Sequence, residues 1–226
     1  MVNTNLDSVQ VYYGVRYASL GPSQTSNGTG DQMRVKHRFS HSVAAFFYEA
    51  PTGVQAKTTQ PPVCPQPRLN LAHIKRNRLR SVYKRWSRLS RFIHLQREDC
   101  LTLNIYVPRS KGRLNLRDGK PVLLFVHGES FEHGTGNVYD LSVLASYTNV
   151  ICVSLNYRLG IFGFLSLKDE QSNGNFALFD LQAAILWIRA NIDRFGGAPE
   201  QMTLMGYGYG AVLVHLFAIS KLGQGQ

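Results

Sequence analysis

Apolar positions along the chain switch between two periods, and the switches divide it into strands and helices. Residues 9–18, VQVYYGVRYA, are rich in β-branched and aromatic side chains and predict a strand that breaks into a turn. Residues 101–108 alternate apolar with polar as a half-buried strand does. By contrast, residues 121–126 and 150–157 are continuous apolar runs, the pattern of strands buried on both faces of a parallel sheet. The stretch between them includes residues 137–147, long enough for a crossover helix. Farther on, Leu178, Leu181, Ile185, Ile188 and Ile192 recur every three or four positions, which predicts a helix over 175–195 that Gly196-Gly197 stops. Residues 202–206 predict another strand, and residues 210–221 another helix. Strand and helix alternating in this order predicts an α/β fold with a mostly parallel sheet and helices on both faces. No internal repeat is present, and the polar, Gly- and Pro-rich stretches at 20–37, 50–53 and 60–67 read as surface loops.

Charge changes the picture at one place. The chain of 226 residues carries a formal net charge of +11, which resembles a nucleic-acid signature until it is mapped. Residues 57–97 hold 11 basic residues and no acidic one. The other 14 basic residues balance all 14 acidic ones, so the excess belongs to one segment. Within it Leu79, Val82, Trp86, Leu89 and Ile93 fall on one face of a helix with arginines around the rest. The segment reads first as a surface helix docked through Trp86. Its functional alternatives are an anionic membrane, a sulfated glycan or nucleic acid.

Three cysteines are too few for a dense disulfide framework. Cys64, in a Pro-rich loop, and Cys100, at the head of a strand, form a candidate pair. In an oxidising compartment that pair closes a loop of about 37 residues, worth roughly 3–4 kcal/mol of chain entropy. Cys152, inside an apolar strand, reads as a buried apolar residue. Asn27-Gly28-Thr29 is a glycosylation sequon in a Ser/Gly-rich loop. The first residues are polar, with no signal peptide, and no stretch has the length of a membrane span.

The chemistry centres on residues 202–211, MTLMGYGYGA: an apolar strand, alternating glycines and the start of an apolar helix. A strand, G-x-S-x-G and a helix make a nucleophile elbow, in which a sharp turn lifts a serine hydroxyl above the sheet. Here the flanking Gly206 and Gly210 are present and the central position is Gly208. The same glycines fit a dinucleotide-binding G-x-G-x-x-G/A. That reading needs an acidic residue about 20 positions on, and none follows Glu200.

Four further signatures stand in order: residues 98–104 (EDCLTLN), 125–128 (FVHG), 156–160 (NYRLG) with Gly163-Phe164, and Asn191-Ile192 with 195–200 (FGGAPE). Together they resemble the carboxylesterase/cholinesterase branch of the α/β-hydrolases. Residues 134–137 and 139–147 look most like its neuroligins. The resemblance implies an N-terminal part of one α/β-hydrolase domain over 1–226, with 65–97 as a basic insertion. It implies that Cys64 and Cys100 form the family's first disulfide, which agrees with the candidate pair. It also implies a cell-surface protein longer than this chain, whose signal peptide and membrane span lie outside it.

An esterase of this branch needs three things that these positions lack. The nucleophile position is Gly208, which has no side chain to form an acyl intermediate. The oxyanion positions are Gly128, Glu129 and Tyr209, where a carboxylate pointing inward would oppose a developing oxyanion and a bulky ring would crowd it. His127, His133 and His215 read as structural, and a catalytic acid and histidine would lie beyond Gln226. The resemblance therefore implies a non-catalytic adhesion protein that forms homodimers and binds a neurexin-type partner, with calcium at that interface. No cofactor or metal is expected in this chain. A heparan-like glycan fits the basic segment better than nucleic acid does. The competing reading is an active esterase with Ser130 or Ser154 as a displaced nucleophile.

Overall fold

The computed structural model describes residues 6–20, 39–45, 59–109, 119–167 and 174–224. Asn27 and most of the 20–37 and 50–53 loops lie outside them. The main sheet has five strands: β1 (Val9–Arg16), β4 (Thr102–Pro108), β6 (Ile151–Leu155), β5 (Lys120–Val126) and β7 (Gly197–Gly206), in that spatial order. β5 pairs parallel with β6 and with β7, whereas β1–β4 and β4–β6 are antiparallel. The sheet is thus mixed; its parallel part joins β5 and β6, the strands that continuous apolar runs predicted, to β7. A short pair, β2 (Ala18–Ser19) and β3 (Val43–Ala44), continues the turn after β1.

Side-chain parity explains the runs. Leu103 and Ile105, Val122, Leu124 and Val126, and Ile151, Val153 and Leu155 enter a large core on one face of the sheet. Their neighbours Tyr106, Phe125 and Cys152 enter a smaller core on the other. β4 is accordingly buried on both faces, not half-buried as its alternation suggested; the polar residue in its middle, Asn104, is 3 % exposed. Its amide donates to Asn137 Oδ1 at 2.9 Å, which satisfies it. Cys152 is a free buried thiol, and desolvation pushes its pKa up to about 11, so it behaves as an apolar core residue.

Helices cover both faces. α5 (Phe176–Asn191) supplies Ala177, Leu181, Ala184, Ile185 and Ile188 to the large core, and α6 (Tyr209–Ile219) adds Leu213 and Phe217. α3 (Ser142–Thr148) covers the other face through Ala145. The predicted 137–147 helix is therefore a 3₁₀ turn at Gly136–Val138 followed by a later, shorter helix. The predicted 175–195 helix likewise ends at Asn191 and continues as a 3₁₀ turn, Ile192–Phe195. A single turn, α4 (Gly160–Phe164), precedes α5.

The basic segment folds as two helices, α1 (Leu71–Asn77) and α2 (Arg80–Ser90), inside the loop closed by the Cys64–Cys100 disulfide. Asn70 caps α1, its Oδ1 accepting from the His73 N–H at 2.9 Å. Extended backbone at Leu79 separates the two helices, so Leu79 leaves the predicted stripe and is 75 % exposed. Leu89 and Ile93, with Trp86 beside them, dock on Val63 and Val138 as the docked-helix reading expected, although Ile93 lies past the helix end. Among the described residues no helix is long and apolar enough to cross a membrane.

Candidate functional site

β7 delivers the elbow. Its last residue is Gly206, α6 starts at Tyr209, and Gly208 between them holds φ 55°, ψ −124°. Tyr207 N–H donates to Val126 O at 3.2 Å, Gly210 N–H to Tyr207 O at 2.9 Å, and Ala211 N–H to Gly208 O at 3.1 Å. The flanking glycines are fixed by packing: a Cβ on Gly206 would lie 2.4 Å from the Ala211 backbone, and one on Gly210 2.2 Å from Val126 O. Gly208 differs. A Cβ there would meet only Gly128 O, at 3.4 Å, an ordinary contact. The central position therefore has the sharp turn and the room of a nucleophile position, and no side chain in it.

The facing loop is held in a tight turn. Ser130 and Phe131 are both left-handed (φ 59° and 58°), and the N–H groups of Glu132 and His133 both donate to Glu129 O, at 3.2 and 3.1 Å. Two consecutive non-glycine residues in that region cost about 1–2 kcal/mol each. Packing offsets the cost. The Phe131 ring lies 4.9 Å from Phe164 and 5.1 Å from Tyr209, and its carbonyl accepts from Gly160 N–H at 2.8 Å. Tyr209, expected to crowd the site, lies edge-on to the loop's aromatic ring and stays 48 % exposed.

The Asn156-Tyr157-Arg158 signature braces this loop. Asn156 Oδ1 accepts from Thr135 Oγ1 at 2.8 Å and from Gly136 N–H at 3.0 Å. Tyr157 donates to His127 O at 2.8 Å and stacks on the His127 ring at 4.6 Å. Arg158 pairs with Asp180 on α5 through two side-chain bonds, Nε to Oδ2 at 2.8 Å and Nη2 to Oδ1 at 2.6 Å. All three are structural here.

Glu129 does not point into the elbow unopposed. Arg85 of α2 binds it with both ends of the guanidinium, Nε to Oε1 at 2.8 Å and Nη2 to Oε2. The insertion and the oxyanion loop are thereby joined across 44 residues of sequence. Between them lies a cavity of about 440 Å³ lined by Lys84, Arg85 and Arg88 on one side and by His127, Tyr139 and Tyr207 among others. His127 is buried with no partner for either ring nitrogen among the described residues, and desolvation lowers its pKa to about 3, so the ring is neutral. His133 is buried edge-on to Trp86 at 5.0 Å, and His215 is exposed on α6. Ser154 is fully buried with its hydroxyl donating to Gly136 O at 3.1 Å, whereas Ser130 is exposed. No group of three or more metal-ligating side chains occurs among the described residues.

Comparison with known proteins agrees with this geometry. Residues 2–226 match the family described as Carboxylesterase family. The chain belongs to the carboxylesterase family. Neuroligin-2 of Mus musculus is 42% identical over 202 residues, covering 78% of this chain and 23% of its own. Carboxylesterase 5A of Ovis aries is 42% identical over 128 residues, 57% of this chain and 33% of its own. The structure of a thermophilic PNB esterase superposes with a TM-score of 0.73 at 31% identity, over 98% of this chain and 40% of that one. The fold is thus that of the esterases, and the chain is neuroligin-like in sequence. It spans about a quarter of the length of the neuroligin it matches.

Two residues of the site were not read from sequence. Arg85 was one of 11 basic residues with nothing to single it out. Asp180 did carry a signal: it is an acid beside Leu181 in an otherwise apolar helix, and such an acid needs a buried partner.

Proposed function

We propose that the chain forms part of a non-catalytic, neuroligin-like cell-surface adhesion protein that binds a neurexin-type partner, with calcium at that interface and homodimerisation of the whole domain. The observation that carries the loss of catalysis is Gly208: the elbow retains its backbone geometry and the space for a side chain, but offers no nucleophile. Arg85 on Glu129 and Tyr209 on Phe131 support it, since both commit oxyanion-loop residues to packing and ion pairing. The sequence likeness to neuroligin-2 supports the adhesion role. The test is calcium-dependent binding of the intact ectodomain to neurexin ectodomains, read by surface plasmon resonance with and without a chelator. Failure to bind any neurexin would sink the adhesion reading.

Restoring the serine tests the pseudo-enzyme reading separately. Gly208→Ser places an L residue at φ 55°, ψ −124° and is expected to cost about 1–3 kcal/mol of stability while folding normally. No fluorophosphonate labelling and no ester turnover are expected. Stoichiometric labelling of the serine variant would contradict the reading.

The likeness to carboxylesterase 5A motivates a second reading, ester hydrolysis through a displaced serine. Ser154 is poorly suited to it, buried and hydrogen-bonded on β6. Ser130 is the remaining candidate, and fluorophosphonate labelling of the unaltered protein at Ser130 would establish it. For the basic segment, a heparan-like glycan remains the acidic partner we favour.

A further inference from the structure

Every residue from 75 to 81 is exposed, a run that spans the break between α1 and α2. It contains Lys75, Arg76, Arg78 and Arg80 and no acidic residue. Arg78 and Leu79 are extended there (φ −129°, ψ 161° and φ −58°, ψ 148°), and Leu79 is 75 % exposed. The helices on either side are weakly held at this end. α1 has 7 residues, none of them buried, so packing adds little to a helix too short to stand alone. Its Lys75 lies 6.0 Å over the Tyr83 ring of α2, the outer limit of a cation–π contact. α2 begins without a side-chain cap or an acidic residue in its first turn, and Arg80 stands against the positive end of its dipole. The chain therefore opens from the break over several residues at small cost.

Endoproteases bind substrates as extended strands, by main-chain pairing with side chains in separate pockets. Arg78-Leu79 already presents such a strand. With Arg78 just before the cut, Arg76 and Lys75 stand two and three residues upstream, and Arg80 follows Leu79. Clustered cations select an enzyme with acidic subsites, because each cation makes charge-assisted hydrogen bonds to a carboxylate. Other basic residues of the segment are less open. Arg85 is held by Glu129 from inside α2, and Arg88 precedes Leu89, which is 5 % exposed. Upstream of Arg68, the Gln66 N–H already donates to Gln96 at 2.9 Å.

We propose that the Arg78–Leu79 peptide bond is a processing site for a multibasic-selective serine endoprotease of the secretory route, a proprotein convertase by class. The inference goes beyond the adhesion role and rests on the cell-surface reading only for its compartment, an oxidising one that the Cys64–Cys100 disulfide also implies. Water is the co-substrate: the C–N bond breaks, leaving a carboxylate on Arg78 and an ammonium on Leu79. The pieces stay joined, because the cut falls between Cys64 and Cys100. α2 stays docked through Leu89, Ile93 and the Arg85–Glu129 pair, whereas α1 becomes the end of an arm. Processing thus opens the closed loop into two arms and sheds neither.

The intact protein is incubated with a purified proprotein convertase, an assay that does not depend on the compartment, so a failed site and a failed cell-surface reading are told apart. One cut is expected, with Leu79-Arg80-Ser81-Val82 as the new N-terminal sequence. The products should migrate as one species without reductant and as two with it. Arg78→Ala should abolish the cut, and Lys75→Ala should slow it about ten-fold, the loss of one charge-assisted contact. Leu79→Pro should also abolish it while folding normally, because φ −58° suits proline and Arg78 before it is already extended. Thermal melts matching the parent's establish that each variant is folded. Protein recovered from the surface of expressing cells should be two-chain, and single-chain when a convertase inhibitor is present. No cut by the purified enzyme, a first cut at another basic residue, or an unslowed cut in Arg78→Ala overturns the inference. So does surface protein that remains a single chain without inhibitor.

Discussion

Asp180→Ala is expected to destabilise the fold by about 3–5 kcal/mol, the cost of leaving a buried charge without its partner. Arg158 is 2 % exposed and Asp180 wholly buried, so water cannot replace the lost carboxylate. The carboxylate also accepts from the Arg158 backbone N–H at 3.1 Å, which fixes the chain where β6 turns into α4. Arg158 Nη1 also donates to Ser40 O at 2.7 Å, and that neutral carbonyl does not replace the charge of the lost carboxylate. A domain has about 5–15 kcal/mol to lose, so this one change removes a large share. The companion variant separates charge from packing. Arg158→Met with Asp180→Leu removes both charges and keeps apolar volume, and it is expected to recover most of the loss. Urea midpoints of the parent, the single and the double variant measure both effects. A single variant within 1 kcal/mol of the parent, or a double variant no better than the single, would contradict this account.

That pair also shows where sequence reading stopped. The continuous apolar runs identified β5 and β6 because a strand buried on both faces needs apolar side chains of both parities. α5 was legible from its three-and-four spacing, and the elbow from its glycines, which packing fixes at Gly206 and Gly210. β4 reads as half-buried in the sequence because Asn104 and Thr102 mimic a solvent-facing stripe. Asn104 is instead buried and paired with Asn137, a contact that no periodicity encodes. The apolar stripe of the basic segment marks a docked helix, but the stripe includes Leu79, which lies outside it, since nothing local marks the break between α1 and α2.

The site itself was half legible. An absent hydroxyl at 208 can be read from one letter. The fate of Glu129 cannot, because it depends on Arg85, 44 residues earlier in a segment whose path is set by tertiary docking. Glu129 had been expected to matter only if it pointed inward as a bare charge. The ion pair changes its role from an electrostatic obstacle to a tether. The elbow and the loop together keep the architecture of an esterase site, while Glu129 is committed to Arg85 of α2 and Tyr209 packs on Phe131.

His127→Phe is expected to make stability far less sensitive to acid. The folded-state pKa of His127 is depressed to about 3 from an ordinary 6.5, by burial alone. A depressed histidine pKa means that the unfolded chain takes up a proton below pH 6.5 that the folded chain refuses. Stability from this residue is therefore complete above pH 6.5 and is lost as pH falls towards 3. The loss is about 1.4 kcal/mol per pH unit within that window. Between pH 7 and 3.5 the parent should lose about 4 kcal/mol more than the phenylalanine variant, since the carboxylates that protonate there are common to both. At pH 7 the variant keeps the aromatic stack on Tyr157 and removes an unsatisfied buried donor, so it should be as stable as the parent or more so. Urea unfolding at a series of pH values measures the difference. Parallel pH profiles would mean that His127 is charged or solvated in the folded protein, and the reading of its ring as buried and neutral would fail with it.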